Sequence, residues 1–107
     1  MKEDEAELTR LREEAWVGDA VLALFVREWI LRETGALDGE MFVRFTSNDF
    51  LRGLGNPTKV ESEIGVVYRE QGLEAAFNYM EDKLLPVFRQ REKVLEKQVR
   101  SGRKVRG

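Results

Sequence analysis

The sequence predicts an all-α fold, a single bundle of about five to seven helices joined by short connections. Three observations carry this prediction. Apolar residues recur at three- and four-residue spacing along most of the 107-residue chain. One short apolar segment, Met41 to Phe45, could pass for a strand, but nothing else in the chain reads as a partner for it. Glycines and an Asn-Pro pair punctuate the periodic stretches where helices would end and begin. A chain this short makes one domain and buries a modest share of its surface, which favours association with a second copy.

Glu3 to Glu14 is highly charged, with Leu8 and Leu11 at helical spacing, and leads straight into the apolar stretch from Ala15 to Leu31. That helix is expected to end near Arg32 or Glu33, where Thr34-Gly35 supplies a stop. Trp16, Ala20, Ala23, Leu24 and the run from Val26 to Leu31 leave almost no polar face in its middle, so it is expected to be covered on several sides. Gly35 to Glu40 reads as a loop and Met41 to Phe45 as a short helix. Thr46 and Asp49 have capping-box spacing ahead of Phe50 and Leu51, with Asp in place of Glu. Gly53 and Gly55 end the short helix they start. Asn56-Pro57 predicts a firm helix start, because Asn caps and Pro in the first turn has no amide hydrogen to leave unsatisfied. Val60, Ile64, Val67 and Tyr68 form one stripe of that helix, which Gly72 closes. Leu73, Ala76, Phe77, Met80 and Leu84 mark the next helix, interrupted at Pro86. Val87, Val94, Leu95 and Val99 mark a last, basic helix running into SGRKVRG. Residues 1–88 are assigned to the helical domain and 89–107 to a basic helix and tail.

The chain contains neither Cys nor His. Disulfides, thiolate and imidazole metal ligands, thiol nucleophiles and imidazole acid–base catalysis are excluded, so any catalysis falls to carboxylates. No apolar run near Asp19 approaches the roughly 20 residues that span a bilayer. The acidic start MKEDEAEL lacks the apolar core of a signal peptide, and a soluble cytoplasmic protein with no membrane partner is expected. The net charge of −2 conceals an asymmetry: from Val87 onward the chain carries +6 and the remainder −8. Arg89, Arg91, Lys93, Lys97, Arg100, Arg103, Lys104 and Arg106 are candidate contacts for a polyanion, or for the acidic body of the same or another copy. The plainer alternative is a solvated helix end.

Asp19 is a lone acid in an apolar helix, and an ionised carboxylate among buried side chains is costly unless paired. It is either a group on the helix's polar edge or a metal-binding carboxylate. Glu61, in the helix that starts at Pro57, has Gly65 one turn later on the same face, as Gly18 stands beside Asp19. Gly inside a helix costs about 1 kcal/mol against Ala, so both glycines predict a close approach by another helix. Two helices crossing there could turn both acids to one site.

Trp16-Val17-Gly18-Asp19-Ala20-Val21-Leu22 resembles the ribonuclease III signature, in which an aromatic, an aliphatic, Gly and Asp open a long apolar helix. The run Val60-Glu61-Ser62-Glu63-Ile64-Gly65-Val66-Val67-Tyr68, with Gln71-Gly72-Leu73-Glu74-Ala75-Ala76 and Leu84-Leu85-Pro86 after it, is similar to that family's second acidic helix and the helix that follows. Thr46-Ser47-Asn48-Asp49-Phe50-Leu51 is similar to the segment between them. The resemblance covers roughly Arg12 to Pro86, with a shortened middle. It implies a ribonuclease III endonuclease catalytic domain-like helical bundle that works as a homodimer on double-stranded or structured RNA. It further implies that Mg²⁺ or Mn²⁺, held by acids from two helices, activates water against a phosphodiester. On this resemblance Asp19 and Glu61 are the catalytic metal ligands and Thr58 positions a water. The basic residues of the last helix and tail hold phosphate, and Trp16 packs into the partner subunit. A buried core position is the other reading of Trp16. Trp29, Phe25 and Phe77 are assigned to the core.

The chain also departs from the family. One turn before Asp19, where typical members are acidic, stands Ala15; three residues before Glu61 stands Thr58. Glu13 and Glu14 point about 100° or more around the helix from Ala15, and Glu63 about 200° from Glu61, so none is a good substitute. The compact Mini-III ribonucleases resemble this reduced set, also having Ala and Thr there. The chain is shorter than those enzymes and lacks a basic loop before the second acidic helix. The alternative is therefore a catalytically degenerate dimer of the same fold serving as an RNA-binding or scaffold protein. A third reading is a helical dimerisation domain without RNA.

Overall fold

A computed structural model of the protein describes residues 2–100. Those residues form six α-helices and no strand: α1 (Lys2–Thr34), α2 (Gly39–Thr46), α3 (Asn48–Arg52), α4 (Pro57–Gln71), α5 (Leu73–Lys83) and α6 (Leu85–Arg100). The short segment that could have been a strand lies inside α2.

The charged start and the apolar stretch form one uninterrupted helix, about 50 Å long at 1.5 Å per residue. It stops where expected. The Thr34 hydroxyl donates to the Ile30 carbonyl at 2.9 Å, and Gly35 turns the chain at φ 78° with its N–H on the Leu31 carbonyl at 2.9 Å. A side chain at that left-handed position would strain the turn. α2 begins earlier than Met41 because Asp38 caps it, its Oδ1 accepting the Met41 N–H at 3.0 Å.

The capping box expected at Thr46 does not form. Thr46 stays in the last turn of α2 and donates its hydroxyl to the Phe42 carbonyl at 2.8 Å. Ser47 caps α3 instead, accepting the Phe50 N–H at 3.1 Å. Asp49 pairs with Arg91 of α6 at 3.0 Å. Asn56 caps α4 as predicted, accepting the Lys59 N–H at 3.1 Å, and Gly72 alone separates α4 from α5.

α4 packs antiparallel along α1, with Gly18 against Glu61 and Glu14 against Gly65. α5 folds back on α4 and touches α1, α2 rests on α1, α3 bridges α2 to α4, and α6 follows α5. One half of the core is aromatic. Phe45 stacks on Phe88 with centroids 4.0 Å apart, and Phe25, Trp29 and Phe50 meet this pair edge-on at 5.3–6.3 Å. Ile64, Ala76, Met80 and Leu84 fill the other half. Trp29 and Phe25 are therefore core residues as expected, and Phe77 reaches the core 5.2 Å from Phe25 while staying half-buried.

One expectation about apolar faces is corrected. α1 is covered along one side only, leaving Trp16, Ala20, Leu24 and Leu31 exposed. Val94 and Val99 lie in a last helix as expected, and both are exposed. The helix is anchored by buried Leu85 and Phe88 and by a forked ion pair, Arg44 Nε and Nη2 donating to Glu92 at 2.8 and 2.9 Å. Arg44→Ala is expected to cost about 1 kcal/mol in urea unfolding, as the half-buried Glu92 loses both donors. Arg44→Lys should recover only part, because an ammonium cannot reproduce the fork. α6 runs unbroken through Phe88 and Arg89, so the domain and its basic extension meet inside one helix. Among the described residues no helix is long and apolar enough to cross a membrane.

Candidate metal centre at the α1–α4 crossing

The crossing is as close as two helices can come. A Cβ built on Gly18 would overlap the Glu61 carbonyl group and lie 2.9 Å from the Gly65 nitrogen; one on Gly65 would overlap the Glu14 carbonyl group and lie 3.1 Å from the Gly18 nitrogen. Backbone meets backbone, which is what the two glycines predicted. Asp19 follows Gly18 and Glu61 lies one turn before Gly65, so the crossing brings their carboxyl groups together.

Glu61 is half-buried, and its carboxyl is pushed up from 4.5 to about 7. Burial is the main cause, followed by the hydrogen bond with Asp19 and then by the Asp19 charge. The pair thus retains a proton up to about neutral pH.

The neighbouring acids are turned elsewhere. Glu14 accepts a hydrogen bond of 3.5 Å from the buried Ser62 hydroxyl, and Glu63 accepts one of 2.7 Å from Tyr79. Ala15 is buried, and Thr58 is exposed one turn before Glu61. Sequence reasoning missed the Glu14–Ser62 link. Its signal was available, since Ser62 precedes Gly65 by three residues and so shares the face of α4 that meets α1.

Among the described residues no group of three or more acids converges. Two carboxylates do not make a closed cage, but Mg²⁺ is commonly held by one or two carboxylates with its remaining positions filled by water and substrate phosphate. The donor chemistry is compatible with an open site of that kind: both groups offer oxygen only, and the two carboxyls are close enough to share a proton. The pair also lies outside the two clefts that flank α6, of about 730 and 430 Å³.

The basic residues divide into two groups. Arg91 bonds Asp49 and lies over Phe50, and Arg89 is 3.9 Å from Glu33 and lies over Trp29. These two meet the acidic body of their own chain. Lys93, Lys97 and Arg100 are exposed along α6. Arg103, Lys104 and Arg106 lie outside the described residues. Trp16 is 81% exposed, which removes the core reading.

The Glu61 shift has a definite sign in stability. Its folded value, about 7, exceeds the unfolded value of 4.5, so its contribution is fully present below about pH 4.5 and is lost as pH rises through 7. Wild type should therefore lose about 1 kcal/mol relative to Glu61→Gln across that window, after allowance for the half-exposed carboxyl. Paired urea titrations at pH 4.5 and 8 check this; parallel pH profiles would show that the carboxyls do not interact.

No protein-family model matches the chain, and no curated protein and no solved structure matches it.

Proposed function

We propose that the protein is a metal-dependent endoribonuclease domain of the ribonuclease III type, cytoplasmic and homodimeric, acting on double-stranded or structured RNA. The observation that carries this reading is the meeting of Asp19 and Glu61 across a glycine-paired helix crossing. These are the two acids that the resemblance assigns to the metal. Asp19 and Glu61 would hold Mg²⁺ or Mn²⁺, which when bound supplies a Lewis acid that acidifies water and offsets phosphate charge. Glu61 would hold the metal as the carboxylate, so binding would be accompanied by release of its proton. The exposed Thr58 hydroxyl, one turn before Glu61, orients a water by hydrogen bonding. Lys93, Lys97 and Arg100 attract the phosphate backbone, a contact that weakens as salt rises. Trp16, exposed on the side of α1 turned away from α4, packs against a second copy.

Incubating the full chain with duplex RNA tests the reading. Cleavage that requires Mg²⁺ or Mn²⁺ is expected, and no cleavage with either metal would overturn it. One observation favours a catalytically degenerate dimer serving as scaffold: among the described residues, no third acid joins the pair. Calorimetric titration with Mn²⁺ separates the two. A catalytic site gives binding heat that disappears in both Asp19→Asn and Glu61→Gln, and a scaffold gives none in wild type.

A further inference from the structure

Among the described residues, three arginine–acid pairs tie α6 to α1, α2 and α3, and they differ in kind. The Arg44–Glu92 pair is forked, at 2.8 and 2.9 Å, and half-buried, which makes it the lasting tie. The other two are single and exposed: Arg89 lies 3.9 Å from Glu33 of α1, and Arg91 bonds Asp49 of α3 at 3.0 Å. These two stand in the same kind of seat. Arg89 lies over the Trp29 ring, 5.8 Å from its centroid, in the cleft of about 730 Å³; Arg91 lies over the Phe50 ring at 5.5 Å, in the cleft of about 430 Å³. Two residues apart on α6, the arginines point about 200° apart around the helix, so α6 carries one guanidinium into the cleft on either flank. In each cleft a core ring faces the guanidinium and an exposed carboxylate offsets its charge.

We propose that the two clefts are phosphate seats masked by the chain's own acids, and that a polyanion opens them by taking Arg89 from Glu33 and Arg91 from Asp49. The partner is duplex RNA, a choice that rests on the function proposed above; the masking is additional to it. The magnitudes favour exchange. A single exposed ion pair holds its members weakly and is screened by salt, whereas a nucleic-acid duplex carries one charge roughly every 2 Å along its axis. Each of its phosphates also offers a guanidinium two oxygens in fork geometry. The rings keep both guanidiniums in place when the acids let go, so little rotamer freedom is left to lose on binding. Masking makes the free chain selective. Lys93, Lys97 and Arg100, exposed on α6, attract any polyanion from a distance. The two arginines contribute fully only where phosphates reach both flanks of a helix about 10–12 Å across. A single strand passes along one flank and opens one seat; a duplex, with two backbones, opens both.

Fluorescence anisotropy of duplex RNA titrated with the full chain tests this, with divalent metal withheld so that no cleavage intervenes. Unmasking by Glu33→Gln with Asp49→Asn should tighten binding about fivefold. The fall of log K with log salt should steepen by up to about 0.9 for each seat, because no carboxylate is left to take up a cation as the arginine departs. Glu5→Gln with Glu7→Gln is the control. It removes the same charge about 40 Å from Glu33 along α1, far beyond the screening length of roughly 8 Å at physiological salt, and should change affinity less than about twofold. Arg89→Gln with Arg91→Gln should cost the unmasked chain more than it costs the wild type, a coupling that charge removal alone does not produce. Equal binding by the wild type and the unmasked chain, or an equal gain in the control, overturns the masking and leaves the proposed function standing. An equal gain with single-stranded RNA overturns the two-flank geometry. No duplex binding by either chain overturns masking and function together. All six positions are exposed, and unchanged circular dichroism would show that the fold is kept.

Discussion

Gly18→Ala is expected to lower the unfolding free energy by about 3 kcal/mol and to disable the acid pair in the same step. The added methyl would occupy the space of the Glu61 carbonyl, and the obstacle is backbone, which cannot swing aside as the end of a long side chain can. The helices must separate, and the packing around Ile64 and Leu22, both fully buried, separates with them. Alanine gains about 1 kcal/mol in helix propensity over glycine, which the overlap outweighs. Gly65→Ala should behave alike, because its methyl would overlap the Glu14 carbonyl. Gly39→Ala is the control: nothing lies within 4 Å of a Cβ there, and it should be neutral or slightly stabilising. Urea unfolding of the three variants decides the matter. Gly18→Ala at wild-type stability would mean that the crossing is looser than described.

Asp19→Asn should move activity and stability in opposite directions. If the proposed site holds a cation, removing one of its two carboxylates would leave half its protein ligands, and a loss of at least 100-fold in metal-dependent RNA cleavage is expected, about 2.7 kcal/mol of transition-state stabilisation. The same change removes a negative charge facing a half-buried carboxyl, so at pH 8 the folded state should gain up to about 1 kcal/mol after solvent screening. In a domain of this size that is a rise of a few degrees in Tm. Below pH 4.5, where Glu61 is protonated in both states, the gain should vanish. Single-turnover cleavage and thermal unfolding at the two pH values are the readouts. Equal cleavage by wild type and Asp19→Asn would remove Asp19 from the site; a lower Tm at pH 8 would show that the two carboxyls do not repel.

Much of this arrangement is legible in the residues themselves. Asn56-Pro57 and Gly35 mark helix ends through local chemistry, which the rest of the fold does not override. Gly18 and Gly65 announce a close crossing because nothing else rewards glycine inside a helix. The misreadings have a common origin in contacts between distant segments. Thr46 and Ser47 are both competent caps, and the choice falls on Ser47 because α2 keeps Thr46 within its last turn. Arg44 and Glu92, 48 residues apart, give no local hint that they will pair. The acids themselves were identifiable. That Glu14 turns to Ser62 rather than to Asp19 follows from the rotation of α4 against α1, which only the packed helices define.

α1 crosses the molecule as a single rod of about 50 Å in a body whose longest extent is 54 Å. A turn of 20° about its axis would carry its side-chain ends about 2 Å sideways, enough to part Asp19 from Glu61. Backbone contact at Gly18 and Gly65 blocks that turn, so the crossing fixes the rotation of the whole rod as well as its distance from α4.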